Sequence, residues 1–168
     1  MARKAKFSRI EADRALLYIE PRLEGYRTFR VCGSYRRNLP TVGDLDIAIV
    51  PLPDVGLELL QKSIKKMSKE VLANGNKILR VIIPIHDMYD IQVDFYFTPE
   101  RILGSFSLFL TGSKDFNKKS RFAAQRLGMR LSQYGLIGPD GLEVSVNEGD
   151  ILNILGLSRF MNPETRSL

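Results

Sequence analysis

Two stretches of the sequence alternate apolar and acidic residues with the two-residue period of a β-strand. In residues 44–50, Asp44 and Asp46 fall on one side of the predicted strand and apolar residues fall on the other. In residues 89–97, Asp94 falls opposite an apolar side in the same way. If the two strands are neighbours, this pattern predicts a sheet with an apolar back covered by helices and a front on which the carboxylates meet.

The length and composition indicate a soluble globular protein. A chain of 168 residues fits one domain, or a core domain with a small satellite. The 44% hydrophobic and 26% charged residues are typical of globular proteins. No apolar run approaches the roughly 20 residues that a membrane-spanning helix needs. Residues 1–6 are basic, but no apolar stretch comes after them, which predicts that there is no secretory signal.

The cysteine and charge content indicate the cellular compartment and the kind of binding partner. The single cysteine, Cys32, excludes an internal disulfide and favours a reducing compartment, so we expect a cytoplasmic protein, in the host cytoplasm if it is encoded by a virus or phage. Because His86 is the only histidine, a zinc site is not expected, and His86 is predicted to lie in a turn or on the surface. Lys and Arg outnumber Asp and Glu by 25 to 19, and this net charge of +6 indicates a polyanionic partner.

Apolar periodicity and turn residues divide the chain into two parts of an α+β protein. The predicted helices cover residues 8–24, 57–73, 115–128 and 148–155, and the predicted strands cover residues 29–33, 44–50, 78–83 and 89–97. Ser8 and Glu11 form a capping-box pattern, the last two strands are expected to be antiparallel, and a hairpin is expected about residues 138–141. A domain boundary is therefore predicted between a sheet domain, residues 1–104, and a smaller α+β lobe, residues 105–168.

Asp44, Asp46 and Asp94 are side chains suited to divalent cations. Crowded carboxylates repel one another, and bound cations remove that cost. Mg²⁺ prefers carboxylate and phosphate oxygens, and two such ions can activate an attacking hydroxyl and stabilise a leaving oxygen. The pattern therefore predicts phosphoryl or nucleotidyl transfer. The alternative is that these are exposed strand carboxylates without a role.

A phosphate-binding turn is predicted where Gly33 and Ser34 come after the first strand. Glycine lets the backbone approach a ligand closely, and the next amides and the Ser34 hydroxyl can then hold phosphate oxygens. Arg36 and Arg37 supply guanidinium donors nearby. The D-x-D pair begins ten residues after Ser34, and this combination is more specific than either motif alone.

A basic stripe is predicted on the helix over residues 57–73. Lys62, Lys65, Lys66 and Lys69 recur there at helical spacing, on a different side from the apolar residues. Such a stripe can hold a DNA backbone. The alternative is an ordinary solvated helix face.

With these motifs the chain resembles the family X DNA polymerases, the DNA polymerase beta-like nucleotidyltransferases. Their G-S, D-x-D and distant third acid match the residues above, and residues 110–121, L-T-G-S-K-D-F-N-K-K-S-R, are similar to the family's T-G-S-x-x-F-N-x-x-x-R segment. Residues 148–152, E-G-D-I-L, and 160–166, F-M-N-P-E-T-R, are similar to later segments of the same family. The resemblance covers roughly residues 6–168 and implies a nucleotidyltransferase palm, with a mixed or antiparallel sheet and helices on one face, and then a nucleotide-binding thumb and fingers lobe.

The resemblance also implies a role for individual residues. The implied ligands of two Mg²⁺ ions, which Mn²⁺ could replace, are Asp44, Asp46 and Asp94, and Asp94 would favour deprotonation of the primer 3′-hydroxyl. The implied nucleotide-binding residues are Gly33, Ser34, Arg37, Gly43, Phe109, Leu110, Gly112, Ser113 and Asn117. The implied DNA contacts in the second lobe are Lys118 and Arg121. The expected partners are a primer-template or gapped duplex and a dNTP, bound by a monomer without a membrane.

Several residues depart from the family pattern. Lys114 replaces an often acidic residue, and Leu110 replaces an aromatic residue associated with sugar discrimination. Tyr96 and Gln133 stand where beta-type members have an Arg and a Glu that help to switch between open and closed forms. No room remains for a lyase domain or a helix-hairpin-helix clamp, as in the shortest viral members, so low processivity is expected.

The leading interpretation is template-directed addition of dNTPs to a primer, with short-gap filling in DNA repair. A second is template-independent or small-substrate nucleotidyl transfer, although the T-G-S-x-x-F-N lobe argues against small-molecule substrates. A third is a DNA-binding accessory module that has lost catalysis. Incorporation opposite a defined template base would discriminate among all three.

Overall fold

The structure is a computed structural model and describes residues 5–168. The prediction about a secretory signal falls largely on residues 1–4, which lie outside the described residues. The chain forms two compact units. The first, here called the sheet unit, extends to residue 31 and resumes over residues 39–98, and the second, here called the thumb unit, comprises residues 32–38 and 99–168. The domain boundary at residue 104 stays a prediction.

The described residues form helices and strands in a mixed order along the chain. The helices are α1 (Arg9–Ile19), α2 (Gly33–Arg36), α3 (Gly56–Met67), α4 (Leu103–Thr111), α5 (Lys114–Arg126) and α6 (Glu148–Ile154). The strands are β1 (Phe7–Ser8), β2 (Tyr26–Val31), β3 (Thr41–Val42), β4 (Leu45–Pro51), β5 (Glu70–Asn74), β6 (Ile78–Ile85), β7 (Tyr89–Phe97), β8 (Arg130–Ser132), β9 (Gly135–Ile137) and β10 (Glu143–Ser145).

The sheet unit is built on a five-stranded mixed sheet. Its strand order is β2-β4-β7-β6-β5, with β4 and β7 parallel and the other neighbours antiparallel. The alternate apolar residues of β4, β6 and β7 are buried, as the two-residue period predicts. The α+β class, the neighbouring positions of β4 and β7, and the antiparallel pairing of β6 with β7 are confirmed.

Two helices pack on the sheet. Helix α1 contacts β6, and α3 contacts β2, β4 and β6. Ser8 caps α1 in a complete capping box, because its hydroxyl accepts from the Glu11 amide while Glu11 accepts from the Ser8 amide at 2.7 Å. Leu60, Ile64 and Met67 form the buried stripe of α3. These helices cover the apolar side of the strands, as expected.

The predicted helix over residues 57–73 was too long. Helix α3 ends at Met67, Ser68 takes an extended conformation with ψ 139°, and the chain continues into β5, which pairs with β6. The Asn-Gly sequence at residues 74 and 75 makes the turn of this hairpin instead of stopping a helix, and the Gly75 amide donates to the Ile78 carbonyl. The lysine stripe is therefore interrupted, because Lys69 lies beyond the helix.

The thumb unit contains α2, α4, α5, α6 and the small antiparallel sheet β10-β9-β8. Its core includes Phe116, Leu136, Ile151 and Leu152, which are fully buried. The hairpin expected about residues 138–141 is confirmed, since it joins β9 to β10.

The bounds of a predicted strand need correction, and one helix was missed. The strand predicted over residues 29–33 is β2, which begins earlier, ends at Val31 and leads into α2. Gly33 takes a φ of 61° and opens that helix, so it cannot continue the strand. Helix α4 was not predicted, because its apolar residues are not confined to one stripe and gave no helical period.

Among residues 5–168, no helix combines the length and the apolar character that crossing a bilayer would require. His86 lies in the turn between β6 and β7, with a φ of 48°, and its ring contacts Tyr18. Cys32 is buried. The position of His86 agrees with the turn predicted for it.

Candidate active site

The parallel pairing of β4 with β7 sets two of the three predicted carboxylates side by side. Asp46 is the register partner of Asp94, so both side chains leave the same face of the sheet. Asp44 lies in the bend immediately before β4, two residues before Asp46. The apolar residues on the opposite face of both strands are buried. The polar side of the sheet with Asp46 and Asp94, together with Asp44 in the bend before it, is called the acidic face below.

Asp94 is held by two side chains of its own unit. Arg80 is its register partner on β6, and the Arg80 Nε and Nη2 atoms donate to Asp94 Oδ2 at 2.8 and 2.6 Å. Gln92, two residues earlier on β7, donates from Nε2 to Asp94 Oδ1 at 2.8 Å. The hydrogen bonds and the negative charge of Asp94 raise the pKa of the Arg80 guanidinium. Both carboxylate oxygens thus accept hydrogen bonds from the protein.

Tyr96 extends the same polar face. Burial raises the pKa of Tyr96 to about 12, with a further contribution from the charges of Asp46 and Asp94. The phenol is therefore neutral at physiological pH and retains its proton as a hydrogen-bond donor.

The donor chemistry of the acidic face fits a hard divalent cation. Its three predicted ligands offer only carboxylate oxygens, and two of them are fixed side by side by strand register. In the part of the chain that the structure describes, no group of three or more His, Cys, Asp or Glu is arranged to hold a metal ion. The carboxylates of the acidic face thus fit the oxygen donors that Mg²⁺ prefers.

The predicted phosphate-binding turn belongs to the thumb unit. Ser34 lies in the first turn of α2, and Arg37 comes directly after that helix. Arg37 donates from Nη1 to the Thr111 carbonyl and from Nε to the Ser167 hydroxyl at 3.2 Å. Gly112 has a φ of 63°, and a Cβ there would lie 3.4 Å from Arg37 Nη1. Gly112 and Arg37, both implied nucleotide-binding residues, are therefore adjacent.

Arg36 has a different role from the predicted phosphate donor. It forms a bidentate ion pair with Glu148, at 2.9 and 2.7 Å, and also donates to the Thr111 hydroxyl. The fully buried Arg166 donates to Glu148 Oε1 at 2.7 Å. Burial alone would raise the pKa of Glu148, but the hydrogen bonds from Arg36 and Arg166 outweigh it and hold that pKa below its usual value. Arg36, Glu148 and Arg166 are called the buried triad below.

Two of the implied nucleotide-binding residues, Phe109 and Asn117, line one pocket of the thumb unit together with Arg121 and Gln133. Ser113 caps α5 by accepting from the Phe116 amide, and the Asn117 side-chain amide donates to the Phe109 carbonyl at 2.8 Å.

The remaining predicted site residues are distributed over both units. Leu110 lies half-buried on α4, next to Phe109. A side chain at Gly43 would meet no described atom within 4 Å, so the space beside it is open. Lys118 is exposed on α5 and pairs with Asp115 at 3.5 Å.

The lysine stripe is only partly retained. Lys62, Lys65 and Lys66 are exposed on α3, and these three are called the α3 lysines below. Lys69 pairs with Asp90 at 2.7 Å, outside the helix.

Sequence reasoning missed Arg80 and the buried triad. The signal for Arg80 was available, since a single charged residue interrupts the apolar strand Ile78–Ile85 on the same face as Asp94. Glu148 and Arg166 stood inside the motifs that carried the resemblance. Nothing local indicated that they bind Arg36, because 112 residues separate Arg36 from Glu148.

The chain is similar to known DNA polymerases. Residues 107–167 match the family model described as DNA polymerase beta thumb. The DNA polymerase/3′-5′ exonuclease PolX of Bacillus subtilis is 35% identical over 109 residues, which are 64% of this chain and 18% of that protein. DNA polymerase IV of Saccharomyces cerevisiae is 34% identical over 77 residues, which are 46% of this chain and 13% of that protein. The chain thus spans less than a fifth of the length of these relatives.

The fold has a counterpart among solved structures. The crystal structure of Leishmania infantum polymerase beta in a ternary P/T complex matches with a TM-score of 0.81 at 21% identity, covering 98% of this chain and 77% of that chain. At this identity the match establishes the fold. Together with the thumb model and the PolX relative, it supports a family X polymerase-like protein.

Proposed function

We propose that the chain is a DNA-directed DNA polymerase of the beta-like type that adds dNTPs to a primer 3′-hydroxyl, in short-gap filling during DNA repair. The observation that carries the proposal is the register of Asp46 with Asp94 on parallel strands, with Asp44 two residues away. Such a set of carboxylates on one face, in a chain with a polymerase beta thumb match, has the donor chemistry of nucleotidyl transfer.

In this proposal Asp44, Asp46 and Asp94 hold two Mg²⁺ ions, and Mn²⁺ can replace them. The bound ions would promote deprotonation of the 3′-hydroxyl and neutralise charge on the phosphates. The fixed strand positions of Asp46 and Asp94 orient their oxygens in advance, which lowers the entropy lost when the reactants are aligned. Tyr96, as a neutral phenol beside them, adds a donor rather than a further negative charge.

The thumb unit would bind the nucleotide. Ser34 and Arg37 are assigned to the triphosphate, and Gly33 and Gly43 give the backbone close approach to it. The contact of Arg37 with the Thr111 carbonyl supports this assignment, because it joins the phosphate-binding segment to the turn that carries the sugar contacts. The sugar and base contacts are assigned to Phe109, Leu110, Gly112, Ser113 and Asn117.

DNA would contact exposed cations of both units. Lys118 and Arg121 on α5 are assigned to the template strand. The α3 lysines are assigned to the DNA backbone, since they are exposed along one helix and a series of cations neutralises successive phosphates. Lys69 is left out of this surface, because Asp90 already neutralises it.

Single-nucleotide incorporation on a one-nucleotide-gapped duplex tests the proposal. Wild type is given Mg²⁺ and each dNTP in turn and is compared with Asp46→Asn. Asp54→Asn is the control, because Asp54 has a φ of 63°, which asparagine tolerates, in the turn after β4. We expect only the templated base to be added, by wild type and by the control, and incorporation by Asp46→Asn to fall to background.

Other outcomes support the alternatives. Addition of every base regardless of the template would make the protein a terminal transferase. DNA binding without incorporation, unchanged by Asp46→Asn, would support an accessory module and contradict the proposed activity.

A further inference from the structure

The Asp94 carboxylate is already paired with a cationic side chain of the protein, Arg80. Two atoms of the Arg80 guanidinium donate to the same oxygen, Asp94 Oδ2, and Gln92 takes the other oxygen. Mg²⁺ binds carboxylate oxygens at about 2.0–2.1 Å and also requires room for its other ligands. The guanidinium and a divalent ion therefore compete for Asp94 Oδ2, since each brings positive charge to the same oxygen.

The two partners of this pair differ in their freedom to move. The Asp94 side chain is 4% exposed on a central strand, whereas the Arg80 side chain is 39% exposed on the neighbouring strand. The long, flexible Arg80 side chain can therefore move its guanidinium away from Asp94 and into water, where the charge is readily solvated. Asp94 is short and buried, so it stays in place when the arginine departs.

The state of the rest of the acidic face agrees with this exchange. Across residues 5–168 no three carboxylates are arranged as a metal cage, although strand register sets Asp46 next to Asp94. While Arg80 is in place, Asp94, the third carboxylate of the acidic face, is paired with the Arg80 guanidinium. Removing that guanidinium leaves Asp94 Oδ2, beside Asp46, without its arginine partner.

We propose that Arg80 is a built-in counter-ion of Asp94 that a divalent cation must displace, and that it thereby sets the cation concentration at which the acidic face is filled. The inference rests on the proposed function, because it takes Asp94 as a metal ligand. Arg80 is a positioning residue, since it acts through Asp94. Without the cation it neutralises Asp94, and with the cation it moves into solvent.

Mn²⁺ binding without DNA or nucleotide tests the inference. Free Mn²⁺ is followed by electron paramagnetic resonance in wild type, Arg80→Gln and Arg101→Gln. The last is a matched control, because Arg101 also forms a 2.7 Å ion pair, with Glu143 in the thumb unit, and its loss removes the same charge. We expect Arg80→Gln to bind Mn²⁺ about tenfold more tightly than wild type. Arg101→Gln should stay within about twofold of wild type.

Two further variants keep every outcome decisive. Asp46→Asn should abolish the tight Mn²⁺ site, and Arg80→Lys, which keeps the charge but loses the fork of donors, should bind between wild type and Arg80→Gln. If circular dichroism shows that Arg80→Gln does not fold, Arg80→Lys tests the inference instead, because it too should bind Mn²⁺ more tightly than wild type.

The two possible failures are distinguishable. If Asp46→Asn removes Mn²⁺ binding but the Arg80 variants bind like wild type and Arg101→Gln, the role of Arg80 is overturned and the metal site stands. If Asp46→Asn leaves Mn²⁺ binding unchanged, the proposed metal site itself is wrong, and the inference falls with it.

Discussion

The sheet unit and the thumb unit each hold a carboxylate between polar partners, but the two arrangements differ in exposure. In the buried triad, Arg166 is 1% exposed and Glu148 14%, so neither can leave without carrying a charge through the protein interior. In the sheet unit, Asp94 is buried while Arg80 is 39% exposed. From this difference we expect the ion pairs of the buried triad to maintain the fold, and the Arg80–Asp94 pair, whose arginine is exposed, to be the one that can exchange with a ligand as proposed.

The largest expected effect on stability comes from disrupting the buried triad. Glu148→Gln leaves Arg166 and Arg36 without a negative partner, and losing one member of a buried ion pair costs about 3–5 kcal/mol. Denaturant unfolding should show a loss of this size. Glu143→Gln, which removes an exposed partner of Arg101, should cost less than about 1 kcal/mol. Equal losses in the two variants would contradict the structural role of the triad.

Acid should weaken the triad in the same way. The pKa of Glu148 is lowered in the folded protein from 4.5, so its contribution to stability is present above the unfolded value and is lost as the pH falls through the folded one. We expect the free energy of unfolding of wild type to fall as the pH is lowered below about 4.5, and Glu148→Gln to fall less over the same range. The measurement is denaturant unfolding at a series of pH values, and parallel pH curves for the two proteins would contradict it.

Exposed cations should act on DNA instead of on stability. Replacing the α3 lysines together by Gln should weaken binding to gapped DNA and reduce the slope of log K against log salt by up to about 0.9 per lost phosphate contact. Fluorescence anisotropy at several salt concentrations measures both quantities. Lys77→Gln, a single change in the β5–β6 turn, supplies the effect of one charge elsewhere on the sheet unit. A per-charge loss equal to that of Lys77→Gln would show that α3 makes no specific DNA contact.

The smallest expected effect concerns a buried polar group without the partners that Glu148 has. Among the described residues, the Ser107 hydroxyl on α4 is buried and accepts and donates no hydrogen bond. Ser107→Ala removes an unsatisfied group, so we expect stability to rise by up to about 1 kcal/mol. Ser105→Ala is the contrast, because the Ser105 hydroxyl donates to the Gln133 carbonyl at 2.9 Å and its loss should destabilise. A destabilised Ser107→Ala would mean that the hydroxyl has a partner after all.

How well each element could be predicted from the sequence depended on how far apart in the sequence its interacting residues lie. The alternation in residues 89–97 predicted β7 correctly, and Ser8 with Glu11 predicted the start of α1, because both depend on near neighbours. The helix predicted through residue 73 was wrong, because pairing with β6 overrides the helical spacing of Val71 with Met67.

Long-range partners were not available to sequence reasoning in the same way. Periodicity set Asp46 and Asp94 on one face of their strands, but only the parallel register made them neighbours. Periodicity could not show that Arg80, on a third strand, would reach Asp94. The polar face is therefore the hardest part to predict, because the identity of a partner there depends on strand order and not on spacing.

The most direct test of the account is Mg²⁺-dependent nucleotide incorporation on gapped DNA by two variants with substitutions on β7, Asp94→Asn and Asp90→Asn. Both replace a carboxylate of β7 that is bound to a cationic side chain, Arg80 in one case and Lys69 in the other. Only Asp94 lies beside Asp46. We predict that Asp90→Asn incorporates like wild type and that Asp94→Asn falls to background while remaining folded. Retained incorporation by a folded Asp94→Asn would contradict the assignment of the acidic face as the active centre.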